Sequence, residues 1–194
     1  MTRKLNEAEQ RILLTIARQA LEAAVRGEPL PDVHLDALPP ALQEPGASFV
    51  TLTIEGRLRG CIGTLDAHQA LAVDVQEHAV AAALQDFRFP KVQPAELPYI
   101  HIEVSALTPR SRLQYDRPQE LAAKLKPNID GVILQDGQRK ATFLPQVWEK
   151  VSSPEEFLSH LCMKMGAARD LWLKKPLDVY IYQVQEFQEQ AETG

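Results

Sequence analysis

Residues 48–65 read SFVTLTIEGRLRGCIGTL, and this stretch decides the fold of the first half of the chain. Positions 48–54 alternate polar and apolar residues, as a strand with one buried face does. A Glu55-Gly56 turn follows, and the chain then returns through residues 57–65. Two strand-like runs on either side of a short glycine turn predict an antiparallel β-hairpin.

The second half of the chain repeats this order of elements. Residues 129–134 and 139–144 flank an Asp136-Gly137 turn, and placing Gly56 over Gly137 aligns the two hairpins. In each half we predict a helix after the hairpin and a further strand after the helix. In the first half the helix spans 70–84 and the strand 99–107. In the second half the helix spans 154–165 and the strand 178–184. The pattern predicts an α+β fold of two related lobes with mainly antiparallel strands, derived by internal duplication. A cleft between such lobes is the natural place for a site.

The expected organisation is a single domain spanning residues 1–194. Its first lobe covers about 48–107 and its second about 129–186, whereas 1–47 forms a helix and a proline-rich wrap. Asn6 and Glu9 are spaced as a capping box for a helix that ends before Gly27. The prolines between positions 29 and 45 exclude a longer helix or a central strand there.

Composition narrows the classes of function. The chain carries 21 Lys and Arg against 26 Asp and Glu, a formal net charge of −5, which argues against nucleic acid as a partner. No apolar run predicts a membrane span, and two cysteines favour a reducing, cytoplasmic location. We predict no cofactor and no metal site, because His160 and Cys162 are two residues apart on one helix and face different directions.

Cys61 is the candidate catalytic or ligand-contacting residue. Gly60 and Gly63 flank it, and a glycine allows a ligand or another chain to approach the backbone closely. If this segment is a regular strand, Arg59 lies on the same face as Cys61, where its guanidinium would bind an anion and favour the thiolate. The alternative is a small buried thiol that fills a strand and has no chemistry.

Four further residues belong to this hypothesis. His101 and His160 are the candidate bases for a thiol nucleophile, if the fold brings either of them to Cys61. Arg88 lies in an Asp-Phe-Arg-Phe-Pro segment, which is either a lip over the site or a loop closed by an internal Asp–Arg pair. Glu103 lies on a polar strand stripe that either contacts ligand or is simply the wet face of a sheet.

Several of these segments together resemble the AMMECR family, also called AmmeMemoRadiSam system protein A. The motifs that carry the resemblance are Leu58–Gly63 (LRGCIG), Phe49–Leu52, Asp86–Pro90, Glu103–Ser105, Gly131–Leu134, Lys140–Trp148 and Phe157–Cys162. Phe87 departs from the pattern, since the family usually shows proline there. The resemblance covers about residues 7–187 and implies a two-lobed α+β fold and two partners, a Memo-type protein and a radical S-adenosylmethionine (SAM) enzyme. It implies no established reaction, so whether the chain is an enzyme stays open.

The leading hypothesis is a protein that binds a small anionic ligand, or a modified segment of a partner protein, beside Arg59 and Cys61. Arg88 and Glu103 would then be secondary contacts. The alternative is a non-catalytic interaction or scaffold module that uses the same surface for docking.

Overall fold

The computed structural model describes residues 4–190. The helices are α1 (Glu7–Arg26), α2 (Pro40–Gln43), α3 (Leu71–Leu84), α4 (Leu121–Lys124), α5 (Pro154–Lys164) and α6 (Leu171–Lys174). The strands are β1 (Pro45–Ile54), β2 (Arg57–Gly63), β3 (Gln69–Ala70), β4 (Ile100–Leu107), β5 (Ser111–Arg112), β6 (Gly131–Asp136), β7 (Arg139–Phe143), β8 (Asp178–Tyr182) and β9 (Val184–Gln188). Short 3₁₀ segments occur at Leu35–Ala37, Pro94–Tyr99, Pro118–Glu120 and Pro145–Lys150. The chain divides into two compact units, residues 4–107 with 185–190 (unit 1) and residues 108–184 (unit 2).

Helix α1 begins and ends where its capping residues predict. The Asn6 side chain accepts a hydrogen bond from the Glu9 amide, and the Glu9 carboxylate accepts one from the Asn6 amide, which confirms the capping box. Gly27 ends the helix in the left-handed conformation, at φ +73°. The proline-rich segment after it contains only the 3₁₀ turn at Leu35–Ala37 and the single turn of α2, as its prolines require.

The sheet of unit 1 has the strand order β2-β1-β4-β9, with β3 paired to the start of β1. Strand β1 pairs antiparallel with β2 and with β4, so the predicted hairpin and the predicted later strand are confirmed. Val50, Leu52 and Ile102 are fully buried in the core formed with α1 and α3. The alternate residues of β1, such as Thr51, therefore lie on the opposite face of the sheet.

Unit 2 has its own sheet, in the order β5-β8-β6-β7, and its own core. Strand β6 pairs antiparallel with both β7 and β8. In that core the Trp148 ring stacks on Phe157 with centroids 3.8 Å apart, and its indole N–H donates to the Asp130 carbonyl. The Ser153 side chain caps α5 as the sequence predicts, because it accepts a hydrogen bond from the Glu156 amide.

The two units share one feature of strand order. In unit 1 the first hairpin gives β2-β1, followed by β4; in unit 2 the second hairpin gives β7-β6, followed by β8. The α+β class with antiparallel strands is thus confirmed, whereas the internal duplication stays a prediction, since a shared order does not show common descent. None of the helices in residues 4–190 is long and apolar enough to cross a membrane.

Candidate functional site

The site is built on β2, which lies at one edge of the unit 1 sheet. The hairpin turn before it holds Glu55 and Gly56 at φ +51° and +73°, the left-handed conformation that glycine adopts without strain. Cys61 lies opposite Thr51 of β1, and the Thr51 hydroxyl donates to the Cys61 Sγ at 3.3 Å. Cys61 as a residue is half-buried.

Arg59 does not stand in regular alternation with Cys61, as the sequence analysis assumed. The register of β1 and β2 shifts between Leu52 and Thr53, so that Leu52 lies opposite Gly60 whereas Thr53 lies opposite Leu58. Arg59 therefore occupies a β-bulge and has no partner in β1. The regular strand that the expectation assumed is thus interrupted at Arg59, and a face shared with Cys61 stays a prediction.

The Arg59 guanidinium is held by acceptors from a later segment. Its Nε and Nη2 donate to the two carboxylate oxygens of Glu96 at 2.7 and 3.0 Å, and its Nη1 donates to the Pro90 carbonyl at 2.8 Å. The hydrogen bonds from Arg59 hold the pKa of Glu96 below its usual range. Nε and both terminal nitrogens of Arg59 thus already donate within the chain, and Arg59 as a ligand contact stays a prediction.

Both glycines of the motif are explained by packing within the chain. A Cβ at Gly60 would lie 2.2 Å from the Ala82 carbonyl oxygen of α3. A Cβ at Gly63 would lie 2.3 Å from the Ser48 carbonyl oxygen and 2.4 Å from the Phe49 ring. The space that we expected a ligand or partner backbone to use is therefore filled by the chain's own helix and ring.

A loop from the end of α3 covers the free edge of β2 at Cys61. The Asp86 carboxylate accepts a hydrogen bond from the Cys61 amide at 2.9 Å, and Nη2 of Arg88 donates to the Cys61 carbonyl at 3.1 Å. Arg88 also donates to both oxygens of Asp86, through Nε at 2.9 Å and Nη2 at 2.7 Å. The loop thus offers β2 one acceptor and one donor, as a neighbouring strand would.

The Asp86–Arg88 ion pair sets the electrostatics of this edge. The Asp86 side chain is almost fully buried, and the hydrogen bonds from Arg88 hold the pKa of its carboxyl far below the usual range despite that burial. The pKa of Arg88 is raised, chiefly by Asp86, with a further contribution from the interaction with Cys61. The sequence analysis left two alternatives for this segment, a lip over the site or a loop closed by an internal Asp–Arg pair, and the Asp–Arg pair is present. Arg88 therefore binds both the Asp86 carboxylate and the Cys61 carbonyl.

Two of the remaining candidate residues belong to β4, and the third belongs to unit 2. Glu103 of β4 lies opposite Thr51, so Cys61, Thr51 and Glu103 form one row across three strands. His101 lies opposite Thr53, one row along the same face. His160 belongs to α5 of unit 2. Among the described residues no hydrogen bond joins either histidine to Cys61, so a base for the thiol stays a prediction.

The second cysteine behaves differently. Cys162 is fully buried in the core of unit 2, and burial raises the pKa of its thiol. Cys61 is thus the accessible thiol of the pair. In residues 4–190, no three His, Cys, Asp or Glu side chains are grouped closely enough to hold a metal ion.

Sequence reasoning missed three residues that shape this site. Thr51 was assigned only to a strand, Glu96 was given no role, and Phe87 was noted only as a departure from the family pattern. Phe87 is 95% exposed, although it lies between the two residues that bind the Cys61 backbone. Only Glu96 gave a local signal, since an acid three residues after Gln93 fits a capping box.

Comparison with known proteins agrees with this architecture. The pattern of the family described as AMMECR1 matches residues 14–187. A protein of Methanothermobacter thermautotrophicus is 38% identical over 191 residues, covering 95% of this chain and 96% of that protein. One from Methanosarcina acetivorans is 36% identical over 194 residues, with 98% and 96% covered. The crystal structure of the uncharacterized protein PH0010 from Pyrococcus horikoshii matches with a TM-score of 0.84 and 31% identity, covering 98% of this chain and 96% of that one. The chain therefore belongs to the AMMECR1 family.

Proposed function

We propose that this protein binds an anionic group at the edge of β2, beside the Cys61 thiol. The group belongs either to a small ligand or to a modified segment of a partner protein. The observation that carries the proposal is the position of Arg88, whose guanidinium lies against Cys61 while its side chain stays 46% exposed. Arg88 therefore takes the anion-binding role first given to Arg59.

The donors of Arg88 support this assignment. Nε and Nη2 are used by Asp86 and the Cys61 carbonyl, whereas no hydrogen bond within the described residues uses Nη1. A guanidinium fixed on one side by a buried carboxylate presents its other side in a set orientation. Arg59, in contrast, is only 14% exposed and uses Nε and both terminal nitrogens.

Cys61 lies where it can contact the bound group. The Thr51 hydroxyl donates to Sγ, and Arg88 donates to the carbonyl oxygen of the same residue. A thiol in this position can act as a nucleophile, once a base has taken its proton, or simply as part of the recognition surface. Glu103, in the same row, is the secondary contact that would select a ligand with a hydrogen-bond donor beside its anionic group.

The test compares two alkylating reagents of similar size on Cys61. Iodoacetate is an anion and iodoacetamide is neutral, so the ratio of their rates reports the positive charge beside the thiol. We expect Arg88→Gln to lower this ratio about fivefold, since one unit charge at about 4 Å in water is worth about 1 kcal/mol. Arg57→Gln, at an exposed position of the same strand, is the matched control and should leave the ratio unchanged. Mass spectrometry assigns the adduct to Cys61 rather than Cys162.

Competition keeps the test independent of any effect of the variant on folding. Inorganic phosphate should slow the alkylation of wild-type Cys61 by iodoacetamide, and chloride at equal ionic strength should not. Equal ratios in wild type and Arg88→Gln, together with no protection by phosphate, would reject anion binding at this edge. A Cys61 that resists both reagents in the folded protein would reject the covalent version.

The second candidate function is a non-catalytic interaction module. It is favoured by the exposure of Phe87 and, next to Arg59, of Leu58. Cys61→Ser separates the two functions, because it removes the thiol and leaves the apolar surface intact. Loss of function with partner binding unchanged favours chemistry at Cys61, whereas loss of binding favours docking.

We further propose that the partners are those that the family resemblance implies, a Memo-type protein and a radical SAM enzyme. Affinity-tagged protein expressed in its native cells should recover both, and Phe87→Ala should reduce the recovery. Recovery of neither in the wild type would count against this partnership while leaving anion binding open.

A further inference from the structure

Three large apolar side chains of unit 1 are exposed around one salt bridge. Leu58 is 44% exposed, Phe87 95% and Tyr99 71%. Leu58 precedes Arg59, whose guanidinium binds Glu96 and the Pro90 carbonyl. Large exposed apolar side chains that lie together mark interaction sites more often than single exposed ones do.

Hydrogen bonds join β2 to the two segments that carry Phe87 and Tyr99. Tyr99 ends the 3₁₀ segment that contains Glu96, and residues three apart in such a helix lie on one face. Phe87 lies between Asp86 and Arg88, which both bind the Cys61 backbone two residues further along β2. Leu58, Phe87 and Tyr99 thus belong to segments that meet along the β2 edge, and we call these three exposed side chains the apolar band.

The charges beside the band are mainly positive. Glu96 is neutralised by Arg59 and Asp86 by Arg88, so neither acid contributes a free negative charge. Arg57 and Lys91, next to the two ends of the Arg59–Pro90 contact, are exposed, and Glu55 in the hairpin turn is the exposed acid nearby. A chain with net charge −5 thus has two exposed cations beside the band, Arg57 and Lys91, and we call these two residues its cationic margin.

We propose that the apolar band binds an extended, acidic segment of a partner protein, with an apolar side chain of that segment against Phe87. This deepens the proposed function, on which it rests, by naming the class of partner at the same edge. The segment lies across the band and does not join the sheet as an added strand at Cys61. An added strand would need the N–H and carbonyl groups of Cys61, and these are already bound by Asp86 and Arg88.

A protein segment fits these observations better than the other occupants. Exposed aromatic rings can also stack on single-stranded RNA, but affinity for RNA needs many cations, and this chain is acidic. A second copy of the chain would bring the same cationic margin against this one, and like charges would oppose each other. An acidic segment with apolar side chains complements both the band and its margin.

The test uses fluorescence anisotropy with a fluorescein-labelled synthetic peptide that alternates glutamate with phenylalanine and leucine. A peptide with lysine in place of glutamate is the charge control. We expect the acidic peptide to bind and Phe87→Ala to weaken it about tenfold, as loss of an aromatic anchor does. Phe87 is 95% exposed, so the variant should fold as the wild type does. Leu30→Ala, at a 44% exposed apolar residue of the proline-rich segment, should have no effect.

Four outcomes would overturn the inference. These are equal binding of the lysine peptide, equal weakening by Leu30→Ala, tighter binding of single-stranded RNA than of the acidic peptide, and a Phe87-dependent dimer of the protein alone. The alkylation ratio of Cys61 separates this inference from the proposed function. Phe87→Ala should leave that ratio unchanged, so failure of peptide binding with a normal ratio rejects only the apolar band. An abnormal ratio with peptide binding intact rejects only anion binding at Arg88.

Discussion

Replacement of Gly60 by alanine tests whether the glycine of the LRGCIG motif serves packing or ligand access. The added methyl carbon would lie 2.2 Å from the Ala82 carbonyl oxygen, and ordinary contact begins at 3.4 Å. Helix α3 would have to withdraw by about 1.2 Å, and the obstacle is backbone rather than a flexible side chain. Because Ala79, Ala82 and Ala83 of α3 are buried, that withdrawal also loosens the core.

We expect Gly60→Ala to lower the free energy of unfolding by about 3 kcal/mol, at the upper end of the usual cost of overpacking a core. The assay is urea unfolding followed by circular dichroism, with the midpoint and the m value measured separately. Gly56→Ala is the matched control on the same hairpin. Its φ of +73° is strained for alanine but no atom lies within 4 Å, so we expect a loss of only about 1 kcal/mol.

The reasoning would be refuted if Gly60→Ala were as stable as the wild type. The same result accompanied by loss of partner or anion binding would restore the first interpretation, in which Gly60 admits a ligand. A stability loss no larger than that of Gly56→Ala would show that α3 yields easily and that the close contact with Ala82 is not limiting.

Three further predictions concern the side chains around Cys61. Asp86→Asn should lower the free energy of unfolding by about 1–3 kcal/mol at neutral pH. Because the pKa of Asp86 is lowered in the folded state, this difference from the wild type should shrink as the pH falls below about 4. Unfolding of both proteins at a series of pH values measures it. Equal differences at pH 7 and pH 3 would contradict the ion pair. Arg59→Lys should lower the free energy of unfolding by about 1–2 kcal/mol, because lysine cannot bind both carboxylate oxygens of Glu96 as arginine does. Amide hydrogen exchange should become faster in residues 90–99, and unchanged exchange there would refute this prediction. Thr51→Val removes the hydroxyl that donates to the Cys61 Sγ, so we expect it to lower the free energy of unfolding by about 1 kcal/mol, and an unchanged urea midpoint would show that this contact is unimportant.

The elements predicted correctly are those that local sequence determines. The caps at Asn6 and Ser153 lie within one turn of the groups they bind. The hairpins follow from alternation and from glycine in the turn. Strand β9 was not predicted, since the predicted final strand ends at 184. The chain passes there from the sheet of unit 2 to that of unit 1, and no change in the sequence pattern marks the transfer.

The residues of the candidate site could be selected from the sequence, but their contacts were not predictable. A single bulge removes Arg59 from the alternation on which its assignment depended. Its partner Glu96 is 37 residues away, and the Asp86 contact to Cys61 spans 25 residues. Contacts over such separations depend on how α3 returns along the sheet, which no local pattern encodes. The two glycines were recognised as sites of close approach, but the sequence could not say that α3 and Phe49 make that approach.

The strongest reason to place a partner at this edge is the contrast between Phe87 and its neighbours. Asp86 and Arg88 are fixed by hydrogen bonds to Cys61 and to each other, whereas Phe87 between them is 95% exposed. The fold therefore gains almost nothing from a large apolar side chain there, because the ring stays almost as hydrated as in the unfolded chain. The family pattern that this segment resembles has proline at position 87. A proline there would also leave the side chains of Asp86 and Arg88 free to bind β2. A phenylalanine that the fold does not use is best explained by a contact outside this chain, and the Cys61 edge is where that contact would act.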